Sequence, residues 1–150
     1  MTLDEAKIKK IAETIVKMTH PKKIYVFGSH AKGTARPESD LDLLIIAEMP
    51  GPKNKRSLAI RRLFPNRDFS LDVFVYHEDE YNEEVGIANT LATTVAREGK
   101  IIYDFAESLS GYAVEIRYPG DFFECSIEEA EEAVEMAKAF KNFVLRKLNN

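Results

Sequence analysis

Four short runs rich in β-branched and aromatic residues constrain this chain most: Lys23–Phe27 (KIYVF), Asp40–Ala47 (DLDLLIIA), Phe69–Tyr76 (FSLDVFVY) and Lys100–Tyr103 (KIIY). Each reads as a strand. Helical segments alternate with them. Leu3, Ile8, Ile11, Ile15 and Val16 recur at helical spacing over residues 3–18, with Thr2 or Asp4 as the cap and Pro21 as the stop. Gly28–Gly33 reads as a turn opening a short helix. Lys55–Phe64 reads as a basic amphipathic helix, with Leu58, Ile60, Leu63 and Phe64 as its buried side. Tyr81–Glu98 carries one or two helices, and Gly99 stands where a C-terminal capping glycine belongs. The order α-β-α-β-α-β-α-β predicts one sheet with helices packed against it.

The 150 residues suit one domain with a small helical appendage. We place the boundary at 104/105, giving a sheet domain over 1–104 and a helical segment over 105–150. Asp104–Tyr112 reads as a helix and Ile116–Phe123 as an irregular connection. Ser126 and Glu129 then form a capping-box pattern at the head of a long helix. Ile127, Ala130, Val134, Ala137, Phe140, Phe143, Val144 and Leu148 mark its apolar stripe, which predicts packing against the sheet domain, a partner helix or a second copy. The single cysteine, Cys125, excludes a disulfide framework and a cysteine-based zinc site. No apolar run approaches the roughly 20 residues of a membrane helix, and the first residues lack a secretory signal, so the expected location is cytoplasmic.

Charge is unevenly spread. Residues 1–67 carry 14 Lys and Arg against 7 Asp and Glu, whereas residues 68–150 carry 7 against 18. The net charge of −4 disfavours indiscriminate nucleic-acid binding. The basic first half can still hold a polyanion as small as a nucleoside triphosphate.

Within this pattern lies a constellation of chemical groups. Gly28-Ser29 follows a strand and precedes a short helix, where a glycine lets backbone approach a ligand and unpaired N–H groups face outward. Asp40 and Asp42 are two residues apart at the mouth of an apolar strand, hence on one face and about 6.6 Å apart at Cα. Their repulsion calls for a cation, and a hard divalent ion suits oxygen ligands. Asp72 interrupts a third apolar strand. It completes a three-carboxylate site if its strand pairs beside Asp40–Ala47, or faces water on an edge strand. An arginine locked onto one of the acids would leave a cation no room.

The order G-S-x(10)-D-x-D-x(29)-D resembles the nucleotidyltransferase superfamily of the DNA-polymerase-β type, and most closely the minimal nucleotidyltransferases. Gly28-Ser29, Gly33 and Ser39-Asp40-Leu41-Asp42 fall at the family spacing. The resemblance covers about residues 5–104. It implies an α+β fold in which helices pack on a small mixed β-sheet. Gly28 and Ser29 would then hold the β- and γ-phosphates, with Arg36 and the basic helix nearby for the triphosphate tail. Asp40 and Asp42 would bind two Mg²⁺ ions. Asp72 would share the second ion and help deprotonate an acceptor hydroxyl. The implied reaction moves a nucleoside monophosphate, AMP from ATP, onto a protein or small-molecule hydroxyl and releases pyrophosphate. Tyr112 and Arg117-Tyr118-Pro119 before the last helix resemble the end of a HEPN domain, which implies a HEPN-type protein partner. No His follows His77, so the Arg/His pair of ribonuclease-active HEPN domains is missing. The alternative is an antitoxin-like module that binds a nucleotide or a HEPN partner with little turnover. A homodimer through residues 126–148 is a further expectation.

Overall fold

A computed structural model describes residues 3–109 and 127–148 of the chain. The chain divides into two compact units, Met1–Ser110 and Gly111–Asn150.

In the first unit, α1 (Glu5–Thr19) is capped by Asp4, whose side chain accepts a hydrogen bond from the Lys7 N–H. It leads into β1 (Lys23–Phe27), α2 (Gly28–Lys32) and β2 (Leu41–Ile46). Then follow α3 (Lys53–Arg61), β3 (Leu71–Tyr76), α4 (Glu78–Glu84), α5 (Leu91–Glu98) and β4 (Lys100–Asp104). Residues 105–109 add a helical turn.

The four strands form one mixed sheet in the order β3-β2-β1-β4. β1 runs antiparallel to both β2 and β4, while β2 and β3 are parallel. Helices cover both faces, which is why β2 reads as a nearly unbroken apolar run. On one face Ile24, Val26, Leu41, Leu43, Ile45, Val73 and Val75 pack with Ile11 and Ile15 of α1 and Ile60 of α3. On the other, Tyr25, Leu44, Ile46 and Tyr76 pack with Val95 of α5. Helix α3 is the crossover that makes β2 and β3 parallel. Its Ile60 joins the first cluster, while Arg61 and Lys53 reach Asp72 and Tyr76 on the opposite face, so the helix flanks the β3 edge.

Three local expectations are corrected. Leu58 is 46% exposed rather than buried, and Arg56 fills the inward position of α3 instead, at 2% exposure. A nine-residue helix has few apolar residues with which to define a face, and here an ion pair supplies the buried contact. Strand β2 starts at Leu41, whose N–H donates to the Ser70 carbonyl, so Asp40 precedes the strand. Gly99 is extended (φ −74°, ψ 153°) rather than left-handed. A Cβ there would stand 2.6 Å from the Val95 carbonyl oxygen, so close backbone approach requires this glycine.

In the second unit, α6 spans Ile127–Leu148. Of its expected apolar stripe, Ile127 (80%) and Val134 are exposed, and so are Ala130 and Ala137. Ser126, Tyr112, Arg117, Tyr118, Pro119 and Cys125 lie outside the described residues, as do the side chains of Phe140, Phe143 and Leu148.

Candidate active site

The site is built where β1, β2 and β3 bring their ends together. β1 ends at Phe27, whose register partner on β2 is Asp42, and the chain turns at once into α2. Gly28 makes that turn with φ 66°, a left-handed conformation that costs other L-residues about 1–2 kcal/mol. The turn is glycine for a second reason. A Cβ built on Gly28 would lie 2.3 Å from Oδ2 of Asp42, so the carboxylate occupies the space a side chain would take. Gly33 closes α2, also left-handed, and its N–H donates to the Ser29 carbonyl. Ser29 is half-buried in the first turn of α2.

Asp72 is aligned with Asp42 across the parallel pair. Adjacent strands lie about 4.8 Å apart, and aligned residues point to the same face. The sheet therefore juxtaposes two carboxylates from separate strands. Asp72 also lies on the edge strand, with its side chain 48% exposed. Asp72 is thus paired beside Asp42 and also faces water on an edge strand. Asp40 is exposed in the loop before β2. Its charge still reaches Asp42: burial first, then Asp72, then Asp40 raise the Asp42 pKa above the usual carboxylate value, and His30 opposes them.

Arg36 is exposed, and its N–H donates to Ser39 Oγ at 2.8 Å, so it shapes the loop that delivers Asp40. Two further groups, one from the Gly28–Gly33 turn and one from the basic helix, stand here as well. His30 Nε2 is buried without a hydrogen-bond partner. Arg61, at the end of α3, donates from Nη2 to Asp72 Oδ1 at 3.1 Å. Asp72 thus does carry an arginine contact. The contact is single, and the two side chains are 41% and 48% exposed, which describes a weak, solvent-screened pair.

Two acids thus stand side by side on parallel strands, beside a turn made by a left-handed glycine. The chain belongs to the nucleotidyltransferase domain family, whose model matches residues 6–145 and so runs across both compact units. No curated protein matches the sequence. Among solved structures, a toxin–antitoxin crystallised with AMP-PNP is 19% identical, with a TM-score of 0.47 over 91% of this chain and 98% of that one. A nucleotidyltransferase-type protein from Sulfolobus solfataricus is 19% identical, with a TM-score of 0.46 over 65% and 77% of the two chains. The toxin–antitoxin MntA–HepT is 16% identical, with a TM-score of 0.46 over 95% and 99%.

The family generally uses a nucleoside triphosphate and a divalent metal. The donor chemistry fits. Asp42 is a carboxylate whose ionised form is disfavoured by burial and then by its acidic neighbours, and a hard cation offsets that penalty. Among the described residues no three Asp, Glu, His or Cys side chains already form a metal-holding group. None of the described helices is long and apolar enough to cross a membrane.

Proposed function

We propose that this chain transfers a nucleoside monophosphate, AMP from ATP, onto a hydroxyl of a protein or small molecule. The observation that carries the reading is the register alignment of Asp42 with Asp72 beside Gly28. Asp40, Asp42 and Asp72 would hold two Mg²⁺ ions, which neutralise charge on the transferring phosphate when bound. The protein's own groups have few tasks, because phosphoryl transfer needs mainly positioning and charge stabilisation. Gly28 and Ser29 seat the β- and γ-phosphates, and Arg36 faces the polyphosphate from the loop. The acceptor oxygen forms a bond to the α-phosphorus as the bond to the β-phosphate bridge breaks. Asp72 takes the acceptor proton, and pyrophosphate leaves with the bonding pair.

A HEPN-type protein is the partner we favour, and the cytoplasm is the location we favour for a reaction that consumes ATP. The exposed Ile127, Val134 and Leu145 of α6 support a partner helix or a second copy on that face.

The test is incubation of the full chain with labelled ATP, Mg²⁺ or Mn²⁺, and a cell lysate. Wild type is expected to yield an acceptor carrying one added AMP, with transfer reduced at least about 10²-fold by Asp42→Asn or Asp72→Asn. Equal labelling by wild type and both variants, or none from any of the four nucleotides, overturns the reading. Tight ATP binding without transfer identifies the antitoxin-like alternative.

A further inference from the structure

We infer that Arg61 is an exchangeable counter-ion of this site: it holds Asp72 while no cation is bound, and turns to the nucleotide's polyphosphate once a divalent ion takes that carboxylate. The inference rests on the function proposed above and adds a device which that function does not require.

Two arginines of α3 show the contrast. Arg56 is buried, its side chain 1% exposed, and its Nη2 reaches both oxygens of Glu80 at 2.7 and 2.9 Å. That guanidinium is a fixed anchor. Arg61, five residues on, makes one contact of 3.1 Å with a half-exposed carboxylate, and its Nε is buried without a partner. A guanidinium offers five donors in a planar fork suited to two oxygens of one anion. Both guanidinium groups keep buried nitrogens without a partner, Nε and Nη1 in Arg56 and Nε in Arg61, so it is exposure and the single contact that hold Arg61 more loosely. It also sits at the last residue of α3, where the helix gives way to the loop that leads into β3.

The acids supply the other half of the argument. Asp42 and Asp72 are aligned across neighbouring strands, and Asp40 adds a third negative charge felt at Asp42. Positive charge nearby relieves the repulsion within such a group. Arg61 is the side chain seen supplying it at Asp72. A cation arriving at Asp72 must displace this contact, and the freed guanidinium is then available to a polyphosphate at Gly28, whose neighbour Asp42 is aligned with Asp72.

The experiment uses the full chain and two probes, Mn²⁺ alone and a non-hydrolysable ATP analogue at saturating Mn²⁺. Calorimetry or the electron paramagnetic resonance of free Mn²⁺ reads the first, and calorimetry the second. Arg61→Gln is expected to bind Mn²⁺ about 3- to 10-fold more tightly than wild type, because a competitor for Asp72 is gone. The same variant is expected to bind the analogue about 10-fold more weakly, because a charge-assisted contact is lost. Arg61→Lys, which keeps the charge, should bind Mn²⁺ much as wild type does. A purely structural clasp between α3 and β3 would weaken both affinities together. The inference is overturned if Arg61→Gln binds Mn²⁺ no more tightly than wild type while Asp42→Asn loses Mn²⁺ binding, and the proposed function survives that result. If wild type and Asp42→Asn bind Mn²⁺ alike or not at all, the site is no cation site and both readings fall.

Discussion

Asp42 is held where its own charge is disfavoured. Burial and two neighbouring acids raise its pKa, so ionising it costs the folded protein free energy that the unfolded chain does not lose. The sign follows directly. Below the unfolded value of 3.8 both states are protonated and nothing is lost; the penalty grows as pH rises through the raised folded pKa and is complete above it. Without divalent ions, Asp42→Asn should therefore raise Tm at pH 7, and the gain should vanish near pH 3. Thermal melts across pH in a chelating buffer measure this, and a loss of stability at pH 7 contradicts it. Much of the site at this scale was legible in the sequence. Gly28-Ser29 and the spacing to Asp42 and Asp72 specify a turn and two strands, because glycine and carboxylates in apolar runs have few other uses. Arg61 and His30 were not legible as partners of those acids. Their contacts depend on how far α3 and α2 travel over the sheet, which no local spacing encodes.

Helix α3 makes two guanidinium contacts, a buried one from Arg56 to Glu80 of α4 and a loose one from Arg61 to Asp72 of β3. The first pair is the strong one. The hydrogen bond from Arg56 lowers the Glu80 pKa from 4.5 to about 2, and the His77 N–H, which also donates to Glu80, acts in the same direction. The stabilisation is present above pH 4.5 and is lost as pH falls through about 2. Glu80→Gln should cost about 3 kcal/mol, because it strands a buried guanidinium, and so lower Tm by roughly 6–12 °C. A fall of under 2 °C in a thermal melt would show Arg56 to be satisfied elsewhere. The strands were read within two residues at each end, since β-branched runs bounded by turns and helices leave little freedom. The inward face of α3 was misread. Leu58 and Arg56 exchange the places that hydrophobicity alone assigns, because Glu80, 24 residues away, decides which of them is buried.

The first compact unit owes its stability to the middle of one sheet. Ile24 of β1 and Leu41, Leu43, Leu44 and Ile45 of β2 are fully buried, whereas the edge strands carry the half-exposed Asp72, Phe74 and Ile101. Hydrogen exchange should accordingly be slowest in β1 and β2, with β4 exchanging at least about 10-fold faster. Mass spectrometry of peptides from the full chain checks the order, and equal protection of β4 and β2 would contradict it. The α-β alternation and the single sheet follow from the sequence, because the period of apolar residues switches between the two. Its strand order does not, since order is set by which long-range pairings bury most surface.

The parallel pairing of β2 with β3 has a consequence for ancestry. A chain that must travel back along the sheet before starting a second strand in the same direction deposits the tail of its crossover beside the strand entrances, where the acids stand. A cationic side chain at the right turn of that tail, as Arg61 is, meets them. Relatives could therefore keep the acids at fixed spacing while the opposing charge drifts between neighbouring turns, visible in coordinates and blurred in every pairwise comparison.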